Sequence, residues 1–236
     1  MPDLRCLFPL TLLLAAHSVF AQIVVHAPPL PPVAPQVITH GSRADKVVAL
    51  TFDACQTHKM AGYDAKIIGI LQATHTPATL VLGGRWMETH VAAARSLGAD
   101  PLFEIGNHSY LHPHMKTLTP AAMHQELQQT QDVQYRLMGH QGRIFRPPYG
   151  EYNAALVSEA ARMGLKTLTW EVVTGDPDPH VTAPDIVRTV LARARPGSVV
   201  IMHVNGRGWH TAEALPAVIR GLHKRGYRFV TVSQLR

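Results

Sequence analysis

Apolar positions along this chain follow two alternating periods. "KVVALTF", "ATLVLG", "PLFEIGN", "LKTLTW", "SVVIMH" and "YRFVTV" are short, nearly continuous apolar runs, the pattern of strands buried on both faces. Between them the period changes to that of a helix. "YDAKIIGILQ" places Asp64, Ile67, Ile68 and Leu71 at helical spacing, and "METHVAAARSLG" reads as one helix. "TPAAMHQELQQTQDVQYRLMG" has Thr119 as N-cap, Pro120 in the first turn and Gly139 at its end, with Met123, Leu127, Leu137 and Met138 as its apolar face. A short strand near "RIFRP" precedes helices from Asn153 to Met163 and from Pro184 to Ala194. Leu215, Val218, Ile219 and Leu222 recur at i, i+3, i+4 and i+7. Seven strand–helix alternations predict an α/β fold with a parallel sheet, open or closed into a barrel. In either form, reactive groups gather where strands end.

The N-terminus breaks this rhythm. Arg5, an apolar stretch from Cys6 to Ala16, and Val19 and Ala21 before Gln22 have the layout of a signal peptide over residues 1–21. That apolar stretch is too short for a spanning helix, so the mature protein is expected to be exported, periplasmic or secreted, without stable membrane insertion. Residues 22–45 are rich in proline and read as an extended tether or a strap lying on the domain. The folded domain is expected over residues 46–236. Cleavage removes Cys6 and leaves Cys55 alone, which excludes an intrachain disulfide. The formal net charge is +6, but lysines and arginines are scattered singly, which argues against nucleic acid as a partner.

The strand ends carry the candidate chemistry. Asp53 follows the first strand, "NHSYLH" the third, "RPPYG" the fourth and "WEVVTGD" the fifth, and His203 ends the sixth. His108 and His112, four residues apart, are expected on one face of a helical turn, where neutral imidazoles suit Zn²⁺ or a similar divalent metal. His114, after Pro113, reads as a bystander in the loop. Arg146 can hold a carboxylate through two parallel hydrogen bonds, on a turn stiffened by Pro147 and Pro148. Asp176 offers His203 a partner that would keep it protonated as a general acid.

Taken in order, "TFDAC", "IGNHSYLH", "RPPYG", "VVTGDP" and "IMH" resemble the motifs of the polysaccharide deacetylase family, carbohydrate esterase family 4, from about Lys46 to the C-terminus. The resemblance implies a distorted (β/α)7 barrel and hydrolysis of N- or O-acetyl groups on a glycan such as peptidoglycan. It implies Asp53 as the base that activates water, His108 and His112 as metal ligands, and Arg146 as the group orienting Asp53. It further implies the Tyr149 N–H as an oxyanion donor, Ile201 as a wall of the acetyl pocket, and His203, tuned by Asp176, as the acid.

One departure stands out. The family's second Asp, its third metal ligand, is Ala54 here, and Cys55 stands in place of Gly. Asp53, Cys55 as thiolate, His58 or Asp176 are the candidates to replace that ligand. Pro177 and Val173 also depart from the family pattern, at positions expected to shape the substrate pocket. Two alternatives to a deacetylase stand beside this reading: a non-catalytic glycan-binding protein on the same fold, which Ala54 favours, and a related hydrolase of small amides or imides.

Overall fold

The structure is a computed structural model that describes residues 26–56 and 61–235 of the 236-residue chain. The expected signal peptide and His58 lie outside the described residues. Strand β2 (Val47–Ala54) is buried at every position. It earns its continuous apolar run by lying between β3 (Ala78–Leu82) and β8 (Ser198–His203), with helices outside and the barrel interior inside. The remaining strands are β1 (Val37–Ile38), β4 (Phe103–Asn107), β5 (Ile144–Phe145), β6 (Lys166–Leu168), β7 (Val172–Val173) and β9 (Arg228–Phe229). Their order is β1-β6-β5-β4-β3-β2-β8-β7, with β9 also pairing β2. Each of these pairings is parallel. The curled sheet is the distorted (β/α)7 barrel of this fold class.

Alternation along the strands divides the core in two. Ala49, Val81, Ile144, Leu168 and Val199 meet inside the curl. Leu50, Phe52, Ala54, Leu80 and Leu82 face outward, under Trp86, Leu215 and Leu222. The outer layer is built by α1 (Ala65–Ala73), α2 (Gly84–Thr89), α3 (Val91–Ala99), α4 (Pro120–Met138), α5 (Ala154–Arg162), α6 (Ala183–Arg193) and α7 (Thr211–Lys224).

Local chemistry sets most of the helix ends. Thr119 accepts from the Ala122 N–H, Pro120 opens α4, and Gly139 closes it at φ 76°. Asp64 lies outside α1 as its cap, accepting from the Lys66 N–H, rather than on the helix face. The single helix expected over "METHVAAARSLG" is two. His90 leaves helical geometry at φ −127°, ψ 46°, its ring stacked on Trp86 with centroids 4.7 Å apart. The strands expected at "RIFRP" and "YRFVTV" shrink to two residues each.

The Pro-rich segment lies on the body. The Ala27 N–H donates to Asp132 Oδ1 of α4 at 2.8 Å, and the Val33 N–H donates to the Ala161 carbonyl of α5 at 2.9 Å. Leu30 packs against the cluster of Leu156 and Ala160. Farther along, Val37 and Ile38 form β1 against β6.

Candidate active site

Strand register assembles the site. Asp53 pairs with His203 across β2 and β8, so the two side chains leave neighbouring strands at the same level. Asn107 pairs with Phe145 across β4 and β5, and His108 and Arg146 follow one residue beyond each. Val173 pairs with Ile201, which brings the fifth-strand loop and Asp176 toward the end of β8. Asp53, Cys55, His108, His112, Tyr149 and His203 line one cleft of about 260 Å³. Arg146 lies beneath its floor, fully buried.

Asp53 is held by that arginine. Arg146 Nη1 donates to Asp53 Oδ1 at 2.5 Å, and Nη2 donates to Thr51 Oγ1 at 2.7 Å. The fork therefore spans a carboxylate and a hydroxyl rather than gripping one carboxylate with both arms. Burial alone would raise the Asp53 pKa, but Arg146, His108 and His203 outweigh it and hold the carboxyl below its ordinary value. The group is ionised at neutral pH.

The two metal-type histidines come together without a helix. Ser109 and His112 both stand at φ 59°, so "HSYLH" is a tight loop and not the expected helical turn. The Asn107 side chain accepts from the Ser109 N–H, and the Ser109 hydroxyl accepts from the His112 N–H. These bonds over-determine the strained backbone. The ring centroids of His108 and His112 lie 4.8 Å apart. Burial pushes both imidazoles down, His112 to about 3, so both are neutral and able to ligate. His114 lies outside the cleft, where it stacks on the Tyr149 ring at 4.2 Å and pairs with Glu151 at 3.0 Å.

His203 carries its partner. Its Nδ1 lies 3.0 Å from Asp176 Oδ1, and its backbone N–H donates to Asp176 Oδ2 at 2.7 Å. Burial would lower the imidazole, but Asp176 outweighs it and the pKa is raised. Asp176 is itself held by the hydroxyls of Thr174 and Thr211.

Several contributors escaped the sequence reading. Thr51 links Arg146 to the Val200 carbonyl, which its own hydroxyl reaches at 2.7 Å. A hydroxyl inside an otherwise apolar strand was the available signal. Trp170 lies 5.7 Å from Arg146 Cζ, and a Cβ on Gly150, at φ 69°, would stand 2.5 Å from that indole. Gly150 is therefore required both for its backbone and for the close approach. Arg207 also lines the cleft, from the loop after β8. Tyr149 is strained at φ 60°, and Ile201, Val173 and Pro177 also line the cleft.

The donor set fits a divalent cation. Ligand atoms of Cys55, His108 and His112 all lie within 4.8 Å of one another, and all three residues are buried. His112 Nδ1 is buried with no hydrogen-bond partner among the described residues. Imidazole and thiolate together suit a borderline-soft metal such as zinc. Burial pushes the Cys55 thiol up to about 12, so without a cation beside it the sulfur stays protonated.

Residues 40–168 match the polysaccharide deacetylase family. The chain is 32% identical over 202 residues to YlxY, an uncharacterized protein of Bacillus subtilis, covering 85% of this chain and only 60% of YlxY. It is 30% identical over 191 residues to a peptidoglycan-N-acetylglucosamine deacetylase of Bacillus cereus, covering 80% of this chain and 67% of that protein. Among solved structures, BA3943 of Bacillus anthracis, a CE4 family pseudoenzyme, superimposes with TM-score 0.77 at 30% identity, over 86% of this chain and 69% of that one. A BA3943 mutant with restored enzymatic activity superimposes with the same TM-score, 0.77.

Proposed function

The chain belongs to the polysaccharide deacetylase family of hydrolases, and we propose that it is exported and removes N-acetyl groups from an amino-sugar polymer such as peptidoglycan. The observation that carries this reading is the convergence of an ionised Asp53, a raised His203 and two neutral histidines in one cleft. The B. cereus relative acts on peptidoglycan, which lies outside the cytoplasmic membrane. Residues 1–21 have the layout of an export signal, and among the described residues no helix is long and apolar enough to cross a membrane.

An amide carbonyl is a poor electrophile and an amine a poor leaving group. A divalent cation held by His108 and His112 would supply Lewis acidity to the carbonyl and to water. Asp53 takes the proton from the attacking water, and Arg146 fixes its orientation and keeps it ionised until that moment. The Tyr149 backbone N–H, in a left-handed turn at the cleft, serves as the oxyanion donor, a role worth roughly 3–4 kcal/mol of barrier. His203, kept charged by Asp176, delivers a proton to the departing amine. Ile201 walls the acetyl methyl. Acetate and a free amine are the products.

The test is acetate release from N-acetylglucosamine oligomers by wild type and Asp53→Asn. The variant should lose at least about 10²-fold while keeping its fold. Equal rates would remove Asp53 from the mechanism. A second reading, a glycan-binding protein without turnover, is favoured by Ala54 and by the likeness to a pseudoenzyme. It predicts glycan retention with no acetate.

A further inference from the structure

Ala54 leaves His108 and His112 one protein ligand short of an ordinary catalytic zinc set. We propose that the Cys55 thiolate fills that place, forming a His₂Cys site that selects a thiophilic divalent cation. The inference rests on the hydrolase reading of the same cleft, and it changes which cation that cleft holds and how.

The end of β2 decides which side chain faces the histidines. Asp53 and Cys55 line the cleft. Ala54, between them, is fully buried and offers only a methyl group. Cys55 is the next residue with an atom that can bind a metal. The ligand atoms of Cys55, His108 and His112 come within 4.8 Å of one another. Tetrahedral zinc with these donors spaces them roughly 3.5 Å apart, so rotamer adjustments of about 1 Å close the set.

The surroundings point the same way. The Arg146 carbonyl accepts from His108 Nδ1 at 2.8 Å, which fixes the tautomer and leaves the Nε2 lone pair free. His112 Nδ1 is buried and has no hydrogen-bond partner among the described residues, an arrangement costly unless something occupies the cleft. Asn205 Nδ2 donates to the Cys55 carbonyl at 2.8 Å and stands 3.6 Å from Cys55 Sγ, where an N–H supports a thiolate. Asp53 is held by Arg146 through Oδ1, with Oδ2 3.6 Å from His108 Nε2, and Asp176 is held by His203, Thr174 and Thr211. Binding releases the Cys55 proton to solvent as the sulfur–metal bond forms. A thiolate donor favours Zn²⁺, Co²⁺ and Cd²⁺ over Mg²⁺ and Mn²⁺.

Cobalt(II) alone, added to the full chain after chelation, provides the probe. Wild type should bind one equivalent and show a near-ultraviolet sulfur-to-cobalt charge-transfer band with tetrahedral visible bands. Cys55→Ser, with unchanged circular dichroism, should lose the band and bind cobalt at least tenfold more weakly. Cobalt bound by wild type without the sulfur band, or no cobalt bound at all, overturns the proposal; neither result depends on a variant folding. Acetate release measured on the same wild-type sample separates the two readings. Turnover without the band leaves the hydrolase reading standing and removes Cys55. The band without turnover leaves the site standing and removes the hydrolase.

Discussion

At the scale of single residues, the site is a set of pKa adjustments made by neighbours. His203 is raised because Asp176 outweighs its burial. In the proposed role of general acid it would work only while protonated, so the rate should fall as pH rises through that raised value. Asp176→Asn removes the cause, and the alkaline limb of the kcat profile should move to lower pH. An unmoved limb would detach Asp176 from the acid role. Asp53 is lowered, so its pairing with Arg146 contributes stability present above the unfolded carboxyl value and lost as pH falls through the folded one. Both groups of this pair are nearly sealed from water. Arg146→Ala should therefore cost about 3–5 kcal/mol in denaturant unfolding, because it strands a buried charge. A loss under 1 kcal/mol would mean that water reaches Asp53.

At the scale of elements, some features were legible from residues and others were not. Thr119, Pro120 and Gly139 mark α4 because caps act locally, and the structure uses all three as read. "SVVIMH" is β8 to the residue. "HSYLH" misled because spacing alone cannot distinguish a helical turn from a loop with two left-handed residues. The deciding contacts come from Asn107 and Ser109, and their geometry is set by tertiary context. The break at His90 also depends on a contact, its stacking on Trp86. The Pro-rich strap meets the body at Gly164, whose φ is 75° and whose added Cβ would lie 2.5 Å from Leu30 Cβ. Gly164→Ala should cost about 1–2 kcal/mol for the left-handed backbone alone, with more from the clash, and should increase protease cleavage within residues 26–36. Unchanged melting and cleavage would show that the strap shifts freely.

At the scale of the molecule, the barrel brings reactive groups from five strand ends to one pole. That convergence was legible from motif order, and Thr51 was signalled by a hydroxyl in an apolar strand, whereas Trp170 and Arg207 were not legible, because only the folded sheet shows what faces the cleft. A cation bound only by the folded chain also stabilises it, by about 2.7 kcal/mol when free metal is a hundredfold above Kd. Chelation should lower Tm, and zinc should restore it; an unchanged Tm would argue against a resident metal. Turnover of acetylated glycan in this cleft, the function proposed above, is tested by acetate release from purified, N-acetylated peptidoglycan by the zinc-loaded full chain. Acetate should appear in step with newly exposed glucosamine or muramic amines. Retention of the glycan with no acetate, across Zn²⁺, Co²⁺ and Mn²⁺, would contradict it and make the protein a binder on a deacetylase fold.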